Sequence, residues 1–230
     1  MDASTSNTVQ AADRVSAFLW KVYGWMAIGL GLTALVAFAV AGSPDLLRVL
    51  IGNRLVFFAL IIAQLGLVFF LSARADRLAP GTAAGLFTLY SALNGVTLSV
   101  ILLAYTGESV TMTFVVTAGM FGALALFGST TKRSLAGAGQ FFMMGLIGLI
   151  LASILGMFWH NDALQFLISV VGVIVFTGLT AYDAQRLKQM ALALPEGQVG
   201  SYAVVGALSL YLDFINLFLM LLRFTGSRRD

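Results

Sequence analysis

The chain has 230 residues, of which 60% are hydrophobic and only 10% charged, and it contains no cysteine. Average soluble domains carry about 45–50% apolar and about 25% charged residues, so a water-soluble globule of this composition would lack the polar groups to cover itself. A soluble enzyme, a nucleic-acid binder and a disordered regulator are poor fits, and the lack of cysteine removes disulfide frameworks, thiolate metal sites and cysteine nucleophiles. Mean hydropathy is +0.96 and the pI is near 9.4, yet the formal net charge is only +3. The basic residues fall between apolar runs, where they act as topology signals and not as a nucleic-acid patch. The composition is that of an integral membrane protein.

In chain order, a polar cytoplasmic N-terminal tail (residues 1–17, mobile over Met1–Ser16) is followed by a transmembrane domain over 18–225 and a short basic tail over 226–230. A span needs about 20 predominantly apolar residues. Seven candidates meet this: Trp25–Ala41, Leu55–Leu71, Thr82–Ala104, Val110–Gly128, Gln140–Phe158, Ala163–Tyr182 and Ala203–Phe224. Pro44, Pro80 and Pro195 all fall between spans, where helix-ending residues belong. Runs of this length predict helices, because barrel strands would be about ten residues with dyad alternation. Ala37, Ala39 and Ala41 resemble a signal-peptide cleavage site, but the preceding polar lead is long and holds Asp2 and Asp13. Loops are short apart from Asp183–Tyr202, and Gly81/Gly85, Ala118/Gly122 and Gly148/Ala152 are spaced for close helix approach. No internal repeat is evident, which weakens inverted-repeat transporter folds. The expected fold is an all-α seven-transmembrane-helix bundle.

Orientation follows from Lys and Arg. One side holds eight (Arg14, Lys21, Arg74, Arg77, Lys132, Arg133, Arg186 and Lys188) and the other five (Arg48, Arg54, Arg223, Arg228 and Arg229). The N-terminus is therefore expected in the cytoplasm. The C-terminal arginines run against the rule, and a re-entrant seventh segment would return them to the cytoplasmic side.

Within the spans the informative residues are the ionisable ones. Asp213 lies about ten residues into the last span, near the bilayer centre. Gly206, Ser209, Asp213, Asn216 and Met220 recur at spacings of 3 and 4 and form one stripe, opposite Leu208, Leu212, Ile215, Leu219 and Leu222. This small and polar stripe must face protein or water, which places the last helix centrally. Asp183 ends the sixth span and shares a face with Thr180, Phe176 and Ser169, with Thr177 beside them. At a helix C-terminus the macrodipole disfavours negative charge, and Arg186, Arg74 or Arg77 would supply a partner. Two carboxyls sharing a site would make a pH-responsive pair. The bland alternatives are a structural hydrogen bond from Asp213 to Ser91 or Asn94 and a solvated helix end at Asp183 beside Arg186. His160 is the one histidine, in a short loop, so transition-metal catalysis is disfavoured. Lys21, Lys132 and Lys188 are near helix ends or in loops, which excludes a retinal Schiff base.

FTGLTAYDAQ (Phe176–Gln185) and YLDFINLFLMLLRF (Tyr211–Phe224) resemble the two signature stretches of the Bax inhibitor-1 (transmembrane Bax inhibitor motif) family. LSARADRLAPGTAAGLFTLYSALNG (Leu71–Gly95) resembles its bacterial members, and the similarity extends over essentially the whole chain. The resemblance implies a central last helix and a pH-sensitive calcium leak, with Asp183 and Asp213 as a di-aspartyl sensor. An arginine that pairs with the sensor in the shut state maps to Arg74, with Arg77 as rival. It further implies a multi-pass protein of a bacterial inner membrane.

The leading expectation is thus a non-enzymatic, pH-gated cation leak. Ca²⁺ is the permeant ion, no cofactor is expected, and the partners are the lipid bilayer, Ca²⁺ and protons. Two carboxylates make a poor Ca²⁺ cage, since that ion takes about 6–8 oxygens, so a transient stop at Asp183 and Asp213 is the expected chemistry. Ser209, Asn216 and Thr180 are candidate pore-lining residues, and Tyr182 a further oxygen donor. Two other readings stand beside it: a non-conducting regulator that binds another membrane protein such as a quality-control protease, and a proton-coupled transporter. With about 1.5 Å rise per residue, Asp213 would lie roughly 15 Å deeper than Asp183, so their meeting requires tilt or a different start to the last helix.

Overall fold

The structure is a computed structural model that describes residues 3–50, 52–159, 161–194 and 199–229. Of the residues singled out above, Asp2, His160 and Pro195 lie outside them. The described residues form α1 (Ala3–Ala41), α2 (Pro44–Leu50), α3 (Arg54–Ala73), α4 (Pro80–Ala104), α5 (Gly107–Thr130), α6 (Ala136–Phe158), α7 (Asp162–Ala193) and α8 (Val199–Thr225). All but the short α2 are long and apolar enough to cross a membrane, giving the seven expected spans. The protein is an all-α membrane bundle.

Local chemistry sets several helix starts. Asn53 caps α3, its Oδ1 accepting from the amides of Leu55 (3.1 Å) and Val56 (3.4 Å). Pro80 opens α4 as its first residue, where a missing N–H costs nothing. Thr106 caps α5 through the Ser109 amide (3.3 Å), and Asn161 caps α7 through Ala163 (2.9 Å) and Leu164 (3.3 Å).

Three expectations change. The segment read as a polar tail is helical from Ala3 and continuous with the first span. The seven-residue α2, absent from the sequence reading, occupies part of the first connection. Most consequentially, α7 does not end near Asp183 but continues to Ala193, and α8 begins at Val199. The Asp183–Tyr202 stretch is therefore mostly helix. Hydropathy marks where hydrocarbon ends; the hydrogen-bonded helix continues through Ala184–Ala193, whose Ala, Gln, Arg, Leu, Lys and Met are all good helix formers.

The chain divides into two compact units: residues to Ala104 with Lys188–Tyr211, and Tyr105–Leu187 with residues from Leu212 on. In the first, α4 packs on α1 and α3. Close α1–α4 approach depends on Gly95, where a Cβ would sit 2.7 Å from the Thr33 carbonyl oxygen. Gln64 ties α3 to α4, its amide donating to the Leu93 carbonyl (3.1 Å), and Arg14 donates to the carbonyl of Leu194 (2.9 Å).

The second unit contains α5, α6, most of α7 and the second half of α8. Its core is Leu149, Ile168, Val175, Phe176, Leu179, Leu217 and Met220. Phe114 and Phe121 meet Phe214 edge to face at 5.3 and 5.5 Å. Here α7 is seated by glycine: a Cβ at Gly128 would collide with the Ala181 carbonyl, and one at Gly178 with the Phe142 ring.

Each unit is built round its own half of α8. In α8, 67% of the apolar stretch is buried, against 6% in α3 and 11% in α6, whose side chains are left for lipid. The last helix is central, as its polar stripe requires.

Candidate functional site

Asp213 sits on the second half of α8 and is only 6% exposed. It lies between Leu212 and Phe214 on a helix whose Leu210, Phe214 and Leu217 are also buried. Among the described residues, its Oδ2 has no hydrogen-bond partner. Its neighbour in charge is Asp183 on α7, close enough for the two carboxyl groups to interact electrostatically. The structure therefore brings the two aspartates together within one unit.

The helix ends explain how. Asp183 is ten residues short of the end of α7, and Asp213 is fourteen residues past the start of α8. At about 1.5 Å per residue these are roughly 15 Å from the end of α7 and 21 Å from the start of α8, so the depth mismatch of roughly 15 Å expected from sequence shrinks to roughly 6 Å. The expectation that Asp183 occupies a helix C-terminus is corrected at the same time: it is in the helix interior and half-buried, away from the macrodipole's negative end. Arg186 is exposed.

The alternative partners proposed for Asp213 have other engagements. The Asn94 amide donates to the Tyr211 hydroxyl (2.7 Å), and the Ser91 hydroxyl to the Phe87 carbonyl (2.9 Å). Of the candidate pore-lining residues, Thr180 is fully buried and donates to the Phe176 carbonyl (2.7 Å), while the half-buried Asn216 donates to that of Leu212 (2.8 Å). The Thr180 hydroxyl proton is held by its own helix, so Thr180 offers only oxygen to a further partner, whereas Asn216 keeps its Oδ1 acceptor and a second amide N–H. Ser209 is half-buried on the first half of α8. Thr177, one turn before Thr180, has a buried hydroxyl with no partner among the described residues. The Tyr182 ring lies where a Cβ on Gly139 would be.

Arg74 and Arg77 belong to the first unit. Arg74 is the C-cap of α3, exposed, with its guanidinium 5.2 Å above the Phe70 ring centroid. Arg77 pairs with its neighbour Asp76 at 3.7 Å, both exposed. Of the two, Arg74 has no carboxylate partner among the described residues.

A buried carboxylate oxygen without a donor needs a proton, a water or a cation. Among the described residues no three His, Cys, Asp or Glu side chains stand together, so this pair alone supplies no full coordination sphere.

A family model described as inhibitor of apoptosis-promoting Bax1 matches residues 15–230. The chain belongs to that family. Inner membrane protein YbhL of Escherichia coli is 49% identical over 228 residues, covering 98% of this chain and 97% of its own. A protein of Borreliella burgdorferi is 46% identical over 215 residues (93% of each chain), and one of Rickettsia prowazekii 38% over 230 residues (99% and 96%). Similarity to these members of the Bax inhibitor family thus extends from end to end, across both helices that carry the aspartates.

Two residues inside the quoted segments have roles that sequence reasoning missed. Tyr211 is fully buried; its hydroxyl meets Thr33 Oγ1 (2.6 Å) and the Asn94 amide, and its ring meets Phe87 and Tyr90 edge-on. Gln185 bridges the α5–α6 connection: Oε1 accepts from the Leu135 amide (2.7 Å) and Nε2 donates to the Arg133 carbonyl (2.8 Å). For Tyr211 the available signal was a hydroxyl on an otherwise apolar face; Gln185 shares its face with Lys188 and Gln189 and gave none.

Proposed function

We propose that this member of the Bax inhibitor family is a pH-sensitive cation leak of a bacterial inner membrane, permeable to Ca²⁺ and not an enzyme. The observation that carries the reading is the Asp183–Asp213 pair, with one buried Asp213 oxygen lacking a donor among the described residues. A midspan carboxylate is costly, and such residues mark ion or proton pathways. Two interacting carboxyls take up protons as a unit, so the charge of the pair changes with pH. Ca²⁺ would pause there while keeping most of its water, with Thr180, Asn216 and Ser209 offering oxygens along the way.

In this reading Arg74 is the latch: with both carboxylates ionised it is held, and acidification releases it. The engaged side chain of Arg77 favours Arg74 for the role. The cytoplasmic N-terminus rests on the charge distribution, and the inner-membrane assignment on the likeness to YbhL.

The test is Ca²⁺ flux into proteoliposomes of the purified chain against protein-free vesicles. Flux that falls with Asp213→Asn and rises with Arg74→Gln supports the leak. Folded protein that passes no Ca²⁺ at any pH contradicts it and leaves a non-conducting regulator of other membrane proteins.

A further inference from the structure

At one end of the second unit, where α6 ends, α7 begins and α8 stops, lies a cavity of about 690 Å³. That volume is in the range of small-molecule sites. Arg223 and Arg228 line it, together with Asp162, Gln165, Ser153 and Ser169. Neither guanidinium has an ion-pair or hydrogen-bond partner among the described residues. Both belong to the arginine group that runs against the charge rule: in this unit Lys132 and Arg133 occupy the opposite end.

Arg228 is held in place. Beyond α8 the chain turns at Gly226, whose amide donates to the Leu222 carbonyl (2.8 Å) and where a Cβ would lie 2.5 Å from that oxygen. The Thr106 amide donates to the Ser227 carbonyl (3.1 Å), and the Ser227 amide to Ser109 Oγ (2.9 Å). An antiparallel bridge pairs Arg228 with Tyr105. The tail is thereby pinned so that its arginine faces the cavity.

The lining has a definite chemistry. Two guanidiniums offer planar donor forks suited to phosphoryl oxygens. Ser153 and Ser169 donate to the carbonyls of Leu149 (2.8 Å) and Gln165 (2.9 Å), so towards the cavity they present acceptors only. Two arginines and one aspartate leave one net positive charge. The match is a single anionic phosphodiester that also carries hydroxyl donors. The Phe166–Phe224 ring pair, 5.5 Å apart, lines the cavity, and Trp159, the C-cap of α6 two residues before the lining Asn161, is 75% exposed. Exposed aromatics at the ends of spans mark headgroup level.

We infer that this cavity binds the glycerophosphate headgroup of a membrane phospholipid, with Arg223 and Arg228 clamping the phosphodiester. Phosphate chemistry is shared with free inorganic phosphate; the aromatic flank favours the lipid. The site is independent of the proposed leak.

Native mass spectrometry of the full chain in neutral detergent tests this, with phosphatidylglycerol, phosphate-free diacylglycerol and inorganic phosphate as probes. One phosphatidylglycerol should be retained per chain, with diacylglycerol at least about tenfold weaker, as expected on losing charge-assisted hydrogen bonds. Arg223→Gln/Arg228→Gln should lower retention by a similar factor, while Arg48→Gln/Arg54→Gln should not. Retention of diacylglycerol equal to that of phosphatidylglycerol, or no loss in the folded double variant, overturns the site. Inorganic phosphate that displaces phosphatidylglycerol at equal concentration overturns the lipid assignment. Since the lipid comparison uses wild-type protein, a double variant that fails to fold leaves it intact.

Discussion

Asp213 and Tyr211 are two residues apart on α8, both buried, and they do opposite things for the fold. The Tyr211 hydroxyl is met by Thr33 and Asn94. Tyr211→Phe leaves the Asn94 amide without its acceptor, so thermal or chemical unfolding in detergent should show a loss of about 1–3 kcal/mol. Asp213 instead keeps an oxygen without a donor in an apolar setting. Replacing such a group by a neutral isostere is commonly neutral or stabilising. Asp213→Asn should therefore melt no lower than wild type, and a large drop would show that the carboxylate holds the fold. Of these two residues only Asp213 was legible in the sequence. A midspan carboxylate is expensive wherever it points, whereas tyrosine in an apolar helix reads as packing, and Thr33 lies 178 positions from Tyr211.

At the scale of elements, the signature segment of α7 is a contact surface as much as a site. Ala181 faces Gly128, Tyr182 faces Gly139, and Gln185 grips the Arg133–Leu135 turn. Gly128→Ala drives a methyl into the Ala181 carbonyl, and overpacking of this kind costs about 1–3 kcal/mol. Gln185→Ala should raise hydrogen exchange at the Leu135 amide while leaving amides in the middle of α6 protected. An unchanged Leu135 rate would mean that the turn holds without its bridge. Hydropathy located all seven spans, but not their ends. It was the unread extension of α7 to Ala193 and the early start of α8 at Val199 that bring Asp183 and Asp213 closer in depth. Apolar run length reports hydrocarbon thickness, while helix length follows propensity and capping, which continue beyond it.

With all seven candidate spans crossing, the ends of the chain would lie on opposite sides of the membrane. The native chain has no cysteine, so single cysteines report side directly. With the N-terminus in the cytoplasm, a cysteine at Ser134 should resist an impermeant maleimide in intact cells, and one at Ser227 should react. The reverse pattern would invert the orientation. Arg223 and Arg228, anomalous by charge count alone, line the cavity at the end of α8. The pH profile of Ca²⁺ flux reports on the aspartate pair itself. Wild-type proteoliposomes should change their flux with pH, because two interacting carboxyls exchange protons with solution as a unit. Asp213→Asn should flatten that profile, because one titrating partner is gone. A variant that keeps the wild-type profile would contradict the account.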